Sequence, residues 1–123
     1  MILKRTILFV YNADSSGWNK YLDFAHKMLS PSTYSCDLCN LTHGNFSEKK
    51  TWKAFRERSS NSMIFLYKNE FLKKYKKPEY QELNFPVILE QKNTGLEVLV
   101  KSEELKSIKS VEDFIEILSV KLT

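Results

Sequence analysis

Cysteine, glycine and proline are scarce in this chain, which holds two cysteines, three glycines and three prolines among 123 residues. So few glycines and prolines argue against a loop-rich or low-complexity protein. No stretch approaches the roughly 20 apolar residues of a membrane span, so no membrane association is expected. The chain is long enough to bury a core without disulfides, and its 42% apolar and 28% charged residues are typical of a globular domain. We therefore expect residues 1–123 to form a single domain.

The first thirteen residues carry Lys4 and Arg5 ahead of the apolar run Ile7–Tyr11. This run is shorter than the roughly 7–15 residues of a signal-peptide core and is followed directly by Asn12 and Asp14. We interpret it as a buried strand and expect a cytoplasmic protein. In that compartment thiols are kept reduced, and a CxxC pair is more often catalytic or metal-binding than structural.

The formal net charge is +4, and the clearest basic run places Lys73, Lys74, Lys76 and Lys77 around Tyr75. A basic run can attract an anionic partner such as nucleic acid. No nucleic-acid-binding motif surrounds this one, so we interpret it as the solvated end of a short helix and expect no nucleic-acid partner.

Apolar runs and helical periodicities alternate along the chain and predict its elements. Strands are predicted at Ile7–Tyr11, Met63–Tyr67, Phe85–Leu89 and Leu96–Val100, and helices at Trp18–Leu29, Cys36–His43, from Ser47 through Phe55, around Phe71–Tyr75, and at Val111–Leu122. Strands separated by helices indicate parallel crossovers, and the last two strands form a hairpin. The fold class predicted is α/β, with a central mixed four-stranded sheet and flanking helices.

This element order, together with Cys36-x-x-Cys39 and Phe85-Pro86-Val87, resembles the thioredoxin-like fold. The resemblance implies a cis-proline at Pro86 ahead of the third strand, where it would guide a substrate backbone. It also implies that residues 30–47 are an inserted helical segment, which carries the CxxC. The redox members of that superfamily have their CxxC directly after the first core strand, whereas this chain has the cysteine-free turn Asn12–Gly17 there.

A second resemblance is carried by Tyr11-Asn12-Ala13-Asp14-Ser15 and by Ser30-Pro31-Ser32-Thr33-Tyr34-x-Cys36-x-x-Cys39-x-Leu41-Thr42. These residues look like the pattern of an uncharacterised family of small bacterial proteins. That family has no established activity from which a function for this chain would follow.

The cysteine pair predicts thiol–disulfide exchange on an unknown protein or small-thiol substrate. On a helix, positions 36, 39 and 43 lie on one stripe. Cys36 would attack as the thiolate, favoured by the helix start and by a protonated His43 or His26, and Cys39 would resolve the mixed disulfide. This chemistry needs no cofactor.

Two alternatives remain open for the same residues. His26, Cys36, Cys39 and His43 supply the four ligands of a zinc site, although their spacing is not that of a zinc finger. Alternatively, both cysteines are small packed residues of an interaction module.

Asp14, Ser15, Ser16 and Gly17 follow the first strand, where α/β folds place ligands, and so predict an anion site at a helix N-terminus. Helix capping by Asp14 or Ser16 is the competing interpretation.

Overall fold

The computed structural model describes residues 4–12, 37–43 and 48–122. The elements are β1 (Thr6–Tyr11), α1 (Asp37–Thr42), α2 (Lys50–Arg58), β2 (Ser62–Tyr67), α3 (Lys68–Lys74), α4 (Pro78–Gln81), β3 (Val87–Lys92), β4 (Gly95–Val100), α5 (Ser102–Ser107) and α6 (Val111–Lys121). The predicted helix at 18–29 lies outside the described residues. The helix predicted to begin at Ser47 begins instead at Lys50, because Glu48 forms a backbone bridge with His43 and Lys49 occupies the cap position.

The strands form one mixed sheet in the order β2-β1-β3-β4. β1 runs parallel to β2 and antiparallel to β3, and β3 forms an antiparallel hairpin with β4. The prediction of an α/β protein with a mixed four-stranded sheet and flanking helices is confirmed. Because of these directions, β1, β2 and β4 end, and β3 begins, at the same end of the sheet. We call this end the carboxyl edge; Tyr11, Tyr67, Val87 and Val100 mark it.

The side chains of β1 alternate between two hydrophobic clusters. Ile7, Phe9 and Tyr11 pack on one face with residues of α1, α2, α5 and α6. Leu8 and Val10 pack on the other face with residues of α3, α4 and β3. The run from Ile7 to Tyr11 is therefore buried on both faces, as expected for a central strand.

Trp52 of α2 is the largest fully buried side chain on the first face. Its ring stacks on Phe114 of α6 at 5.1 Å between centroids and meets Phe9 of β1 edge-on at 5.6 Å. These offset and edge-on geometries are those that aromatic rings prefer. The contacts join α2 and α6 to the sheet and leave Trp52 with a packing role.

Two short helices were not predicted from the sequence. α4 is a single turn with Pro78 at its first position. A backbone N–H at this position has no partner within the helix, so proline, which lacks one, is tolerated there. α5 buries only Ser102 and Leu105 among its six residues, too few to give a helical periodicity. Its start is held by Glu104, whose Oε1 accepts a hydrogen bond from the Lys101 backbone N–H at 3.0 Å.

The lysines of the basic run are exposed at and beyond the end of α3, as expected for a solvated helix end. Within the described ranges, no helix has the length and apolar character needed to cross a membrane.

Candidate functional site

Only part of the predicted cysteine site falls on described residues. Cys36, His26 and the predicted anion site at Asp14, Ser15, Ser16 and Gly17 lie outside them. Cys39 is described through its backbone, as the third residue of α1. His43 and Pro86 are described in full.

Helix α1 is held against the first face of the sheet by its apolar positions. Leu38 is fully buried and Leu41 is 6% exposed, whereas Asn40 is exposed. The hydroxyl of the buried Thr42 donates to the Leu38 carbonyl at 3.0 Å. The Lys49 backbone N–H donates to the Thr42 carbonyl at 2.8 Å, which anchors the chain where the helix ends.

His43 follows α1 directly and lies beside the carboxyl end of β1. Its Nδ1 is 2.8 Å from the Thr42 hydroxyl oxygen, and its ring meets that of Tyr11 edge-on at 6.1 Å. This contact with the Thr42 hydroxyl, which also bonds to the Leu38 carbonyl, orients the imidazole ring beside the end of β1.

Burial is the main influence on the pKa values of His43 and Tyr11. It lowers the pKa of His43, and the cations Arg56 and Lys49 lower it further, while Glu48 raises it. Burial also raises the pKa of Tyr11, and a hydrogen bond with Thr42 offsets part of that increase. At neutral pH the site thus contains a neutral imidazole and a protonated phenol.

Glu48 and Arg56 form a bidentate ion pair next to His43. Arg56 Nε donates to Glu48 Oε2 at 2.6 Å, and Nη2 donates to Oε1 at 2.7 Å. These hydrogen bonds from Arg56 are the main reason that the pKa of Glu48 is lowered. The backbone bridge between His43 and Glu48 holds the imidazole and the ion pair together.

These groups surround an open groove of about 450 Å³ that runs along β2 and reaches the carboxyl edge at Tyr11 and Tyr67; we call it the His43 groove. Its lining comprises Tyr11, His43, Glu48, Arg56, Met63, Phe65 and Tyr67. Phe65 and Tyr67 of β2 form an aromatic wall with Tyr11, with rings 6.3 Å from it in each case. The groove combines apolar contact surface with a proton acceptor, which is the usual composition of a small-ligand or peptide-side-chain site.

Pro86 also lies at the carboxyl edge. The Phe85–Pro86 peptide bond is cis, and Pro86 directly precedes Val87, which pairs with Val10 of β1. The resemblance to the thioredoxin-like fold implied a cis-proline at this place in the chain.

A zinc site built from His26, Cys36, Cys39 and His43 would need three side chains outside the described ones. Within the part of the chain that the structure describes, no three His, Cys, Asp or Glu residues are grouped as metal ligands would be. The zinc interpretation stays a prediction.

Sequence reasoning did not identify Glu48 and Arg56 as members of the site. They lie eight positions apart, and the contact between them crosses the start of α2 rather than one helical turn. Their charges did not distinguish them, because the sequence contains 19 Lys or Arg residues and 15 Asp or Glu residues. Comparisons of this chain with protein-family models, with curated proteins and with solved structures found no match.

Proposed function

We propose that the chain is a thioredoxin-like domain that performs thiol–disulfide exchange through Cys36 and Cys39 on a disulfide of a protein or a small thiol. The fold part of the proposal is supported by the parallel β1–β2 pair, the antiparallel β3–β4 hairpin and the cis-proline before β3. Fold alone does not assign an activity, so the reaction is argued from the site.

One observation carries the proposal: the helix that bears Cys39 ends at the carboxyl edge, against Tyr11 and the His43 groove. Substrates of open α/β sheets bind at the carboxyl ends of the strands. A disulfide partner in the His43 groove would therefore lie beside α1. Its neighbouring side chains would contact the aromatic wall of Tyr11, Phe65 and Tyr67.

The imidazole of His43 supports the proton transfers that this reaction needs. It lies four residues after Cys39, and its pKa is lowered mainly by burial, so at neutral pH it is a base that can accept a thiol proton. This differs from the sequence-based expectation of a protonated His43, which would have acted as a fixed positive charge.

The proposed exchange has two steps. The Cys36 thiolate attacks the substrate disulfide, forming a mixed disulfide and releasing one substrate thiolate. The Cys39 thiolate then attacks the Cys36 sulfur, releases the second substrate thiolate and leaves a Cys36–Cys39 disulfide. Two electrons pass from the dithiol to the substrate, the two cysteine protons end on the substrate thiols, and an external thiol reductant restores the dithiol.

The test uses the reduced full chain and an aromatic disulfide probe whose thiolate product absorbs light. Wild type should release two probe thiolates per chain. Cys36→Ser should lose the fast release of two thiolates and react, at most once and much more slowly, through the remaining Cys39 thiol. Cys39→Ser should stop at a mixed disulfide, detected as an added half-probe by mass spectrometry. Asn40→Ala, at an exposed position of the same helix, is the matched control and should react like wild type.

Wild-type protein that leaves the probe intact, or Cys36→Ser protein that reacts as wild type does, contradicts the proposal. Elemental analysis of protein purified without chelators tests the alternative. One zinc per chain, lost in Cys36→Ser and in His43→Asn, would replace the dithiol by a Cys/His zinc site.

A further inference from the structure

A second groove opens at the carboxyl edge. Residues next to all four strands line it: Asn12 follows β1, Lys68 follows β2, Phe85 lies just before β3, and the start of α5 follows β4. Its volume is about 490 Å³, within the roughly 300–1,000 Å³ typical of small-molecule sites. We call it the Lys68 groove. None of the described residues that line it has a role in the proposed exchange reaction.

Two lysines give the Lys68 groove its positive charge, Lys68 from α3 and Lys106 from α5. The Lys68 ammonium lies 5.3 Å from the centroid of the Phe85 ring, which also lines the groove. This cation–π contact holds the ammonium at the wall instead of leaving it to move in solvent. The entropy lost when Lys68 binds a ligand is reduced accordingly.

Among the residues that the structure describes, neither lysine has an acidic partner. The ion pairs found among the described residues join other partners, and no acidic side chain of that set pairs with Lys68 or Lys106. Two cations on the walls of one groove repel each other, and an anion between them removes that repulsion. Their placement therefore favours an anionic ligand.

The polar groups around the lysines are partly fixed by the fold. The Ser102 hydroxyl donates to the Phe85 carbonyl at 3.3 Å, which ties the start of α5 to the segment before β3. Asn12 and Asn84 add amide groups to the lining. Glu103 lies on the same lining and disfavours a second acid group near it, but it can accept a hydrogen bond from a hydroxyl or an amine.

We propose that the Lys68 groove binds a small organic acid, with its carboxylate or phosphate between Lys68 and Lys106 and a hydroxyl or amino group directed to Glu103 and the amides. The acid group supplies charge-assisted hydrogen bonds to both ammonium groups. Simple inorganic anions lack the hydroxyl or amino group that contacts Glu103, so they should bind more weakly than such an acid.

The test titrates the full chain with glycerol 3-phosphate and, separately, with glycerate, following backbone amide signals by NMR. These probes carry a hydroxyl beside a phosphate or a carboxylate, so the tighter of the two identifies the acid group. Saturable binding is expected, with the largest changes at Lys68, Phe85 and Lys106, and with weaker affinity at higher salt. Lys68→Gln and Lys106→Gln should each weaken the tighter probe about tenfold.

Lys73→Gln is the matched control, because Lys73 is an exposed lysine of α3 outside the groove lining. It should change affinity less than about twofold, as expected for a screened surface charge. The unperturbed amide signals report whether each variant keeps the fold. Non-saturable binding of both probes, equal loss in Lys73→Gln and Lys68→Gln, or equal binding of uncharged glycerol overturns the proposal.

Discussion

His43 receives opposing electrostatic influences from two residues that are themselves paired. Glu48 raises the pKa of His43, and Arg56 lowers it. Because Glu48 and Arg56 form a bidentate pair, their effects on the imidazole are coupled. Removing the carboxylate should therefore do more than delete one charge, since Arg56 would then act on the imidazole without its partner.

We expect Glu48→Gln to lower the pKa of His43 further below its ordinary value of 6.5. Among the described residues, Glu48 is the group that raises this pKa, so its removal leaves the lowering effects of Arg56 and Lys49 unopposed. An NMR titration of the imidazole C–H signals measures the change, with His43→Asn assigning the signal. Glu116→Gln, an exposed glutamate of α6, is the control and should leave the titration unchanged. An unchanged or raised pKa in Glu48→Gln would show that Glu48 does not govern this imidazole.

Glu48→Gln should also change the pH dependence of the free energy of unfolding. The folded pKa of His43 lies below the unfolded value, so between the two values the unfolded chain binds more protons. The free energy of unfolding therefore falls as the pH falls from about 6.5 through the folded pKa. In Glu48→Gln this loss should extend to lower pH.

At the scale of single residues, the sequence indicated where the functional site would lie but did not reveal all of the residues that form it. His43 was identified because histidine is rare and lies near the cysteines. Tyr11 was noted only as part of a strand and a pattern, and its place in the groove depends on the register with Tyr67 of β2. A partner supplied across strands or across a turn has no local periodicity, so Glu48 and Arg56 could not be predicted.

The start of helix α6 is determined by residues of its own cap and first turn. Ser110 Oγ accepts a hydrogen bond from the Asp113 backbone N–H at 3.1 Å, and Glu112 and Asp113 place negative charge in the first turn. Both features stabilise a helix N-terminus. The predicted start of this helix is confirmed for that reason.

We expect Ser110→Ala to lower the free energy of unfolding by about 1 kcal/mol, the usual cost of losing a serine N-cap. Urea denaturation at neutral pH measures the difference. Ser119→Ala changes an exposed serine inside the same helix and should be neutral or slightly stabilising, because alanine is the better helix former. Equal effects of the two substitutions would mean that the Ser110 hydrogen bond contributes nothing to stability.

The elements that the sequence predicted best are those with long apolar runs or strong periodicity. β1 and β2 were placed within one residue, since an uninterrupted run from Ile7 to Tyr11 or from Met63 to Tyr67 allows few other structures. α5 has no serine, threonine, aspartate or asparagine at its cap position, which is Lys101, and its capping bond comes instead from Glu104. Its start therefore lacked the usual sequence signal.

At the scale of the whole molecule, Arg5 joins three elements that are distant in sequence. Its Nε and Nη2 donate to Glu90 of β3 at 2.7 and 2.6 Å, and its Nη1 donates to the Lys121 carbonyl in the last turn of α6 at 3.0 Å. Its backbone N–H donates to Asn61 Oδ1 at 3.2 Å, just before β2. The start of β1 is thus tied to both neighbouring strands and to α6.

Glu90 depends on this contact, since it is only 5% exposed. The hydrogen bonds from Arg5 are the main reason that its pKa is lowered. Lys92 is a weaker partner, with its Nζ 3.7 Å from Glu90 Oε1 and its side chain 44% exposed. Without Arg5 the carboxylate would remain buried with little compensation, which is the costly case for an ion pair.

We expect Arg5→Met to lower the free energy of unfolding by about 2–3 kcal/mol at pH 7, somewhat less than the loss for a fully buried pair because Arg5 itself is partly exposed. Lys92→Gln removes the other cation near Glu90 and should cost less than about 0.5 kcal/mol. Arg5→Met combined with Glu90→Met should recover part of the loss, because no unpaired carboxylate is then buried.

The pH dependence separates this ion pair from simple packing. The folded pKa of Glu90 is depressed, so its contribution is present above the ordinary value of 4.5 and is lost as the pH falls through the folded pKa. The difference between wild type and Arg5→Met, measured by urea denaturation, should therefore be smaller at about pH 3 than at pH 7. A difference that is the same at both pH values would assign the role of Arg5 to its aliphatic stem and its bond to Lys121 rather than to the pairing with Glu90.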